Sequence, residues 1–166
     1  MIDMIRIERL TVDNFDEHSL NDFDRRQEVH HLCQIVDGKV EKQEWWFSEF
    51  WGPWRKKEVT EALMSDHYVS FVALDDNRVI GFAGLKIHED HIELEQLHVA
   101  RPYRHQGIGR KLFDTAMNEA ASRDYDEVLI KAFAAEDTIA FYQTMGVQLV
   151  GNVSPFDIET VYTTRK

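Results

Sequence analysis

Cysteine is nearly absent from this 166-residue chain. Cys33 is the only one, which excludes an internal disulfide and any multi-cysteine metal site. Proline is scarce at three. No Pro/Gly/Ser-rich linker, internal repeat or low-complexity tract breaks the chain, so it reads as one domain over 1–166. Long apolar runs are missing as well: the longest, glycines included, is 79–85, far short of the ~20 residues that cross a bilayer as a helix. Asp3, Arg6, Glu8 and Arg9 interrupt the first apolar residues and leave no continuous core of a signal peptide. Positive charge is in deficit, with 19 Lys plus Arg against 30 Asp plus Glu and a net charge of −11. That deficit argues against binding nucleic acid through the overall field and against adhesion to an anionic membrane. These features predict a cytoplasmic protein with neither nucleic acid nor membrane as partner.

What is present suffices for a packed core: 43% of residues are hydrophobic and 11% aromatic. Alternation predicts a strand over 4–10, and Leu20 and Phe23, three apart, suggest a helical stretch over 19–27. Asp37-Gly38 supplies the positive φ angles of a tight turn, so 29–36 and 39–44 read as a hairpin. Pro53 suits a helix start, with a helical pattern over 54–64. Strands follow over 68–74, 79–87 and 91–99, with short turns between them. An amphipathic helix over 107–122 places Ile108, Leu112, Phe113, Ala116 and Ala120 on one face. A strand over 127–133, a short helix over 138–145 and strands over 147–150 and 158–163 complete an α/β chain with a mixed, mostly antiparallel sheet.

Chemistry concentrates in the segment Leu97, His98, Val99, Ala100, Arg101, Pro102, Tyr103, Arg104, His105, Gln106, Gly107, Ile108, Gly109, Arg110, Lys111, Leu112. A strand ends, a loop follows, and two glycines open a long helix. Glycine lets the backbone approach a ligand, and the first N–H groups of a helix have no internal partner, so this construction suits phosphate. A Rossmann fingerprint would need a third glycine where Leu112 stands. A Walker A loop would need Ser or Thr after Gly-Lys, and Gly109-Arg110-Lys111-Leu112 has neither.

Arg104-x-x-Gly107-x-Gly109, preceded by a strand ending Leu97-x-Val99, resembles the acyl-CoA pyrophosphate loop of the GCN5-related N-acetyltransferases. A second block, Phe141-Tyr142-Gln143-Thr144-Met145-Gly146-Val147, is similar to that family's later Phe-Tyr-x-x-x-Gly-Phe motif, with Val147 in place of an aromatic. The asparagine common seven residues before that tyrosine is Ala135 here. The order of elements resembles the family from residue 4 to the C-terminus.

The resemblance implies acetyl-CoA in a cleft between two splayed parallel strands, 91–99 and 127–133. Pantetheine would pair with the backbone of Leu97 and Val99, beside His98. The pyrophosphate would lie on the N–H groups of Gln106, Gly107, Ile108, Gly109 and Arg110, next to His105, with Arg104 and Lys111 either adding charge nearby or solvated, and with Phe141 and Tyr142 also at the cofactor. It also implies Tyr142 as the acid for the leaving thiolate.

For deprotonating an amine, Glu93 and Glu95 stand two apart on the strand before the loop. Alternation puts both on one face unless a bulge intervenes. Glu93 is the preferred base from its distance to the glycines, with Glu95 the alternative. His30, His31, His88 and His91 lack a helical metal-ligand spacing, so no metal site is expected. Cys33 lies away from both motifs. Trp45, Trp46, Phe47, Phe50, Trp51 and Trp54 are either packing or an acceptor wall able to hold a cation by its charge on aromatic faces.

The chain therefore reads as an acetyl-CoA-dependent N-acetyltransferase acting by direct attack in a ternary complex. The acceptor is a small amine or a peptide or protein amine, and a homodimer is a family-level expectation. The alternative is a non-catalytic acyl-CoA-binding domain of the same fold. Charge supports the division of labour: 96–113 holds Arg101, Arg104, Arg110 and Lys111 with no acid, while Glu89, Asp90, Glu93 and Glu95 stand just before it.

Overall fold

A computed structural model describes residues 4–50 and 55–165, with side chains described throughout except at 45–50. Nine strands and three α-helices are present among these residues. Seven strands, β1 (Ile5–Arg9), β4 (Tyr68–Asp75), β5 (Arg78–Ile87), β6 (Ile92–Val99), β7 (Glu127–Phe133), β8 (Gln148–Ser154) and β9 (Asp157–Thr163), form one sheet in the order β1-β4-β5-β6-β7-β9-β8. Strands β2 (Gln27–Val36) and β3 (Lys39–Phe50) form a separate two-stranded hairpin. Every neighbouring pair in the large sheet is antiparallel except β6 and β7. This is the mixed, mostly antiparallel α/β sheet that the periodicities predict.

Helix α2 (Ile108–Ser122) buries Ile108, Leu112, Phe113, Ala116, Met117 and Ala120, residues spaced at three and four along its length. They pack on one face of the sheet with Val69, Phe71, Ala83, Leu85, Ile92 and Leu94. Helix α1 (Lys56–Met64) and a 3₁₀ turn (Glu17–Leu20) cover the opposite face, where Phe15, Leu20 and Leu63 meet Val72, Leu74 and Phe82. Strands β4 and β5 are therefore buried on both sides, which is why they are almost continuously apolar. Helix α3 (Glu136–Thr144) follows β7 and buries Ile139 and Tyr142.

The Asp37-Gly38 turn has φ of 51° and 77°, the positive pair that a tight hairpin needs. Its strands run further than the alternation suggested. The helical stretch expected over 19–27 is a correction: only the single 3₁₀ turn forms, closed by a capping box between Asp16 and Ser19, and extended backbone begins at Gln27. Two apolar residues three apart were too few to sustain a helix against the strand-forming residues from Val29 on. The helix start expected at Pro53 lies outside the described residues.

Candidate functional site

Strand β6 is paired with β5 from Ile92 to Val99, yet its register with β7 covers only Glu93↔Leu129 and Leu94↔Ile130. Strand β7 pairs along its whole length with β9 instead. The two parallel strands therefore part after Leu94, and the β7-facing edge of β6 over 95–99 has no strand partner among the described residues. Residues 24–33 tie both lips of this split. The N–H of Arg101 donates to the carbonyl of Asp24 at 2.8 Å and the N–H of Cys33 to that of Ala134 at 2.7 Å. Between them, Nε2 of Gln27 donates to Oγ1 of Thr138 at 2.9 Å. Ala135 forms a backbone bridge with Leu32. Where the resemblance has an asparagine side chain, this chain has a buried methyl in that bridge.

At the open end of the split the chain makes a 3₁₀ turn (Arg101–Tyr103), then the loop that opens α2. His105 and Gly107 sit in the left-handed region, φ 63° and 84°. The first bond of α2 runs from the N–H of Lys111 to the carbonyl of Gly107. The N–H groups of 106–110 have no acceptor among the described residues, and Gln106, Gly107 and Arg110 are exposed while Ile108 is buried. A Cβ on Gly109 would stand 3.4 Å from Cε1 of Phe141 and 3.6 Å from Cγ2 of Val99. The strand end, the glycine-opened helix and the second motif thus meet at one point. Arg104 serves the backbone here: Nε donates to the carbonyl of Val99 at 2.9 Å and Nη1 to that of Arg26 at 2.6 Å. Its guanidinium pins the end of β6, whereas Arg110 and Lys111 are exposed on the first turn of α2.

Tyr142 is 7% exposed, and burial pushes its hydroxyl well above the ordinary phenol range. Its ring packs on Phe113 and Phe141, with centroids 6.1 and 5.2 Å away. The hydroxyl has no hydrogen-bond partner among the described residues, and it stays protonated at neutral pH.

The two glutamates differ. Strand β6 carries a bulge: Gly84 pairs with Gln96 and Leu85 with Leu94, so Glu95 is the extra residue. Glu93, Gln96 and His98 then share the face of Lys86, Gly84 and Phe82, their partners on β5. Leu97 and Val99 turn to the α2 side. Glu93 is 8% exposed and lies 2.9 Å from Nε2 of His88. Glu95 is more open, accepts from the Tyr68 hydroxyl, and lies 3.7 Å from Nζ of Lys86. Burial and the bond to Glu95 together push the Tyr68 hydroxyl above its usual range. His98 packs on Phe82 and lies 2.9 Å from Oε1 of Gln96. Burial, and then the charges of Arg25 and Arg104, push it down to about 3, so its imidazole is neutral.

His88 and His91, which lack a helical ligand spacing, come together through the β5–β6 turn, their rings stacked at 4.2 Å. The signal lies across the hairpin: two residues between the histidines make a turn, and Glu93 two further on returns to the same face. Cys33 is buried, and burial raises its thiol. The side chains of the aromatic segment 45–54 lie outside the described residues.

Residues 40–147 match the model of the acetyltransferase (GNAT) family. An N-acetyltransferase of Xenopus laevis described as probable, camello, is 35% identical over 88 residues, 51% of this chain and 40% of that protein. The chain spans less than half the length of the curated relatives it matches. A nourseothricin acetyltransferase has the same fold, with a TM-score of 0.74 at 16% identity over 98% of this chain and 99% of that one. An aminoglycoside 6'-N-acetyltransferase, solved with coenzyme A, superposes at a TM-score of 0.61 and 21% identity over 67% and 81%.

Proposed function

The chain belongs to the acetyltransferase (GNAT) family, and from that membership we propose that it is a cytoplasmic N-acetyltransferase moving the acetyl group of acetyl-CoA to a primary amine. The observation that carries this reading is the split between β6 and β7 ending on the glycine-opened start of α2. The residues present fit an acyl-CoA: the free N–H groups of 106–110 suit its pyrophosphate, the open edge of β6 suits its amide-bearing arm, and Gly109 leaves a hollow that a side chain would fill.

Acetyl-CoA, when bound, supplies a thioester carbonyl ready for attack by an amine. The remaining work falls to side chains. Glu93 takes the proton of the incoming ammonium, through water, and His88 at 2.9 Å passes it towards solvent. Glu95 is less suited, because the Tyr68 hydroxyl and the Lys86 ammonium already occupy its carboxylate. Its place is to hold the positive charge of the acceptor with the other acids at this end. Tyr142, protonated and unpartnered, donates to the departing thiolate. Direct attack needs no nucleophilic cysteine, in keeping with the buried, raised thiol of Cys33. The acceptor is a small amine or a peptide or protein amine.

Incubation with acetyl-CoA and a panel of amines, following free thiol, tests this reading. Amine-dependent thiol release is expected, falling about 10²-fold or more in Glu93→Gln and by less in Glu95→Gln. Coenzyme A binding without amine-dependent release would make the chain an acyl-CoA-binding domain instead, and no binding would overturn the site altogether.

A further inference from the structure

The β5–β6 hairpin gathers three ligating side chains that acetyl transfer does not call for as a set. His88 N–H donates to the His91 carbonyl at 2.9 Å and closes the turn. Ile87↔Ile92 and Lys86↔Glu93 follow in register. Cross-strand neighbours and residues two apart share a face, so His88, His91 and Glu93 project together. One ligand atom from each lies within 4.8 Å of the others. We propose that His88, His91 and Glu93 bind a divalent transition-metal ion of the zinc class, and that metal held there withdraws Glu93 from acetyl transfer; the second half rests on the assignment of Glu93 as base.

The donor set decides the class of ion. Two imidazoles and one carboxylate suit zinc, cobalt or nickel, whereas magnesium and calcium take oxygen ligands. Three protein ligands leave a position open for water or an amine. Asp90 lies 2.6 Å from Nδ1 of His91, and a carboxylate on the second ring nitrogen is the usual device that orients a metal-bound histidine. The stacked rings need only turn about χ2, a broad torsion in histidine, to converge. Entry is open: the side chains of His88 and His91 are 28% and 41% exposed, while that of Glu93, at 10%, forms the floor.

Cobalt(II) is the probe, since its visible absorption reports ligation without any turnover. Titration of the metal-free protein should give one tight equivalent per chain with a visible band from nitrogen ligation. The band should disappear in His91→Ala, a surface change that spares the fold. Asp90→Asn should weaken binding about 10–100-fold through the lost orientation of His91. Absence of the band in the wild type, or equal binding in His91→Ala, overturns the site. In a separate arm, zinc should stop thiol release in the wild type, reversed by chelator, and act weakly on His91→Ala relative to that variant's own metal-free rate. Undiminished release in zinc-loaded wild type overturns the inhibitory half. Thiol release by metal-free wild type is read on its own, so failure of the transferase reading is told apart from failure of the metal site.

Discussion

The ring of Phe141 stands against the backbone of Gly109, so that a single methyl added at Gly109 would lie 3.4 Å from Cε1. Residues 32 positions apart in sequence thereby meet at the open end of the split. A methyl there makes an ordinary contact, so Gly109→Ala should fold with near-normal stability. It occupies the hollow, and a loss of about 1.4 kcal/mol would weaken coenzyme A binding tenfold. Calorimetric titration checks this; unchanged affinity in Gly109→Ala and Gly109→Leu alike would show that the hollow is not used.

Removal of the Tyr142 hydroxyl should leave the fold untouched, because no protein group bonds to it among the described residues. Tyr142→Phe is expected to unfold within about 0.5 kcal/mol of wild type. Its kcat should fall about 10²-fold or more while KM for acetyl-CoA holds. A kcat close to wild type would remove Tyr142 from the proton inventory.

Acid should loosen the fold through His98. Its folded value, about 3, lies below the ordinary 6.5. Between those values the unfolded chain binds a proton that the folded chain refuses. Stability is therefore full above pH 6.5 and falls as pH drops, by up to about 1.4 kcal/mol per pH unit from this group. Urea unfolding at several pH values across that window should show a shallower decline in His98→Gln. Parallel declines would mean that other groups carry the effect.

Gly84 offers a contrast to Gly109. A Cβ there would come within 2.6 Å of Cδ2 of Leu63, a buried side chain of α1. Gly84→Ala should cost about 1–3 kcal/mol of stability through overpacking. Coenzyme A affinity should stay level, since the crowding is on the face away from α2. Thermal unfolding with binding measured at low temperature separates the two effects.

Apart from the helix expected over 19–27, the order of elements is legible along the chain, as are the glycine-opened helix and the second motif, because they rest on local periodicity and on spacings within one turn or loop. Helix α2 shows its buried face in Ile108, Leu112, Phe113, Ala116 and Ala120 before any partner is known. The hairpin at Asp37-Gly38 follows from the backbone freedom of two residues. Side-chain company was another matter. The bulge at Glu95 depends on how β6 registers against β5, and it sets Glu93, Gln96 and His98 on one face where alternation alone separates Glu93 from Gln96 and His98. In the sequence Arg104 is either added charge beside a phosphate or a solvated side chain, and only the close approach of Arg26 and Val99 assigns it to their carbonyls. His88 and His91 lack a helical ligand spacing and become neighbours across a turn. Local preference is a sum over adjacent residues, so a single sequence carries it. Register, bulges and cross-strand pairs are settled by contacts between segments far apart in the chain, and they exist only once the sheet has closed.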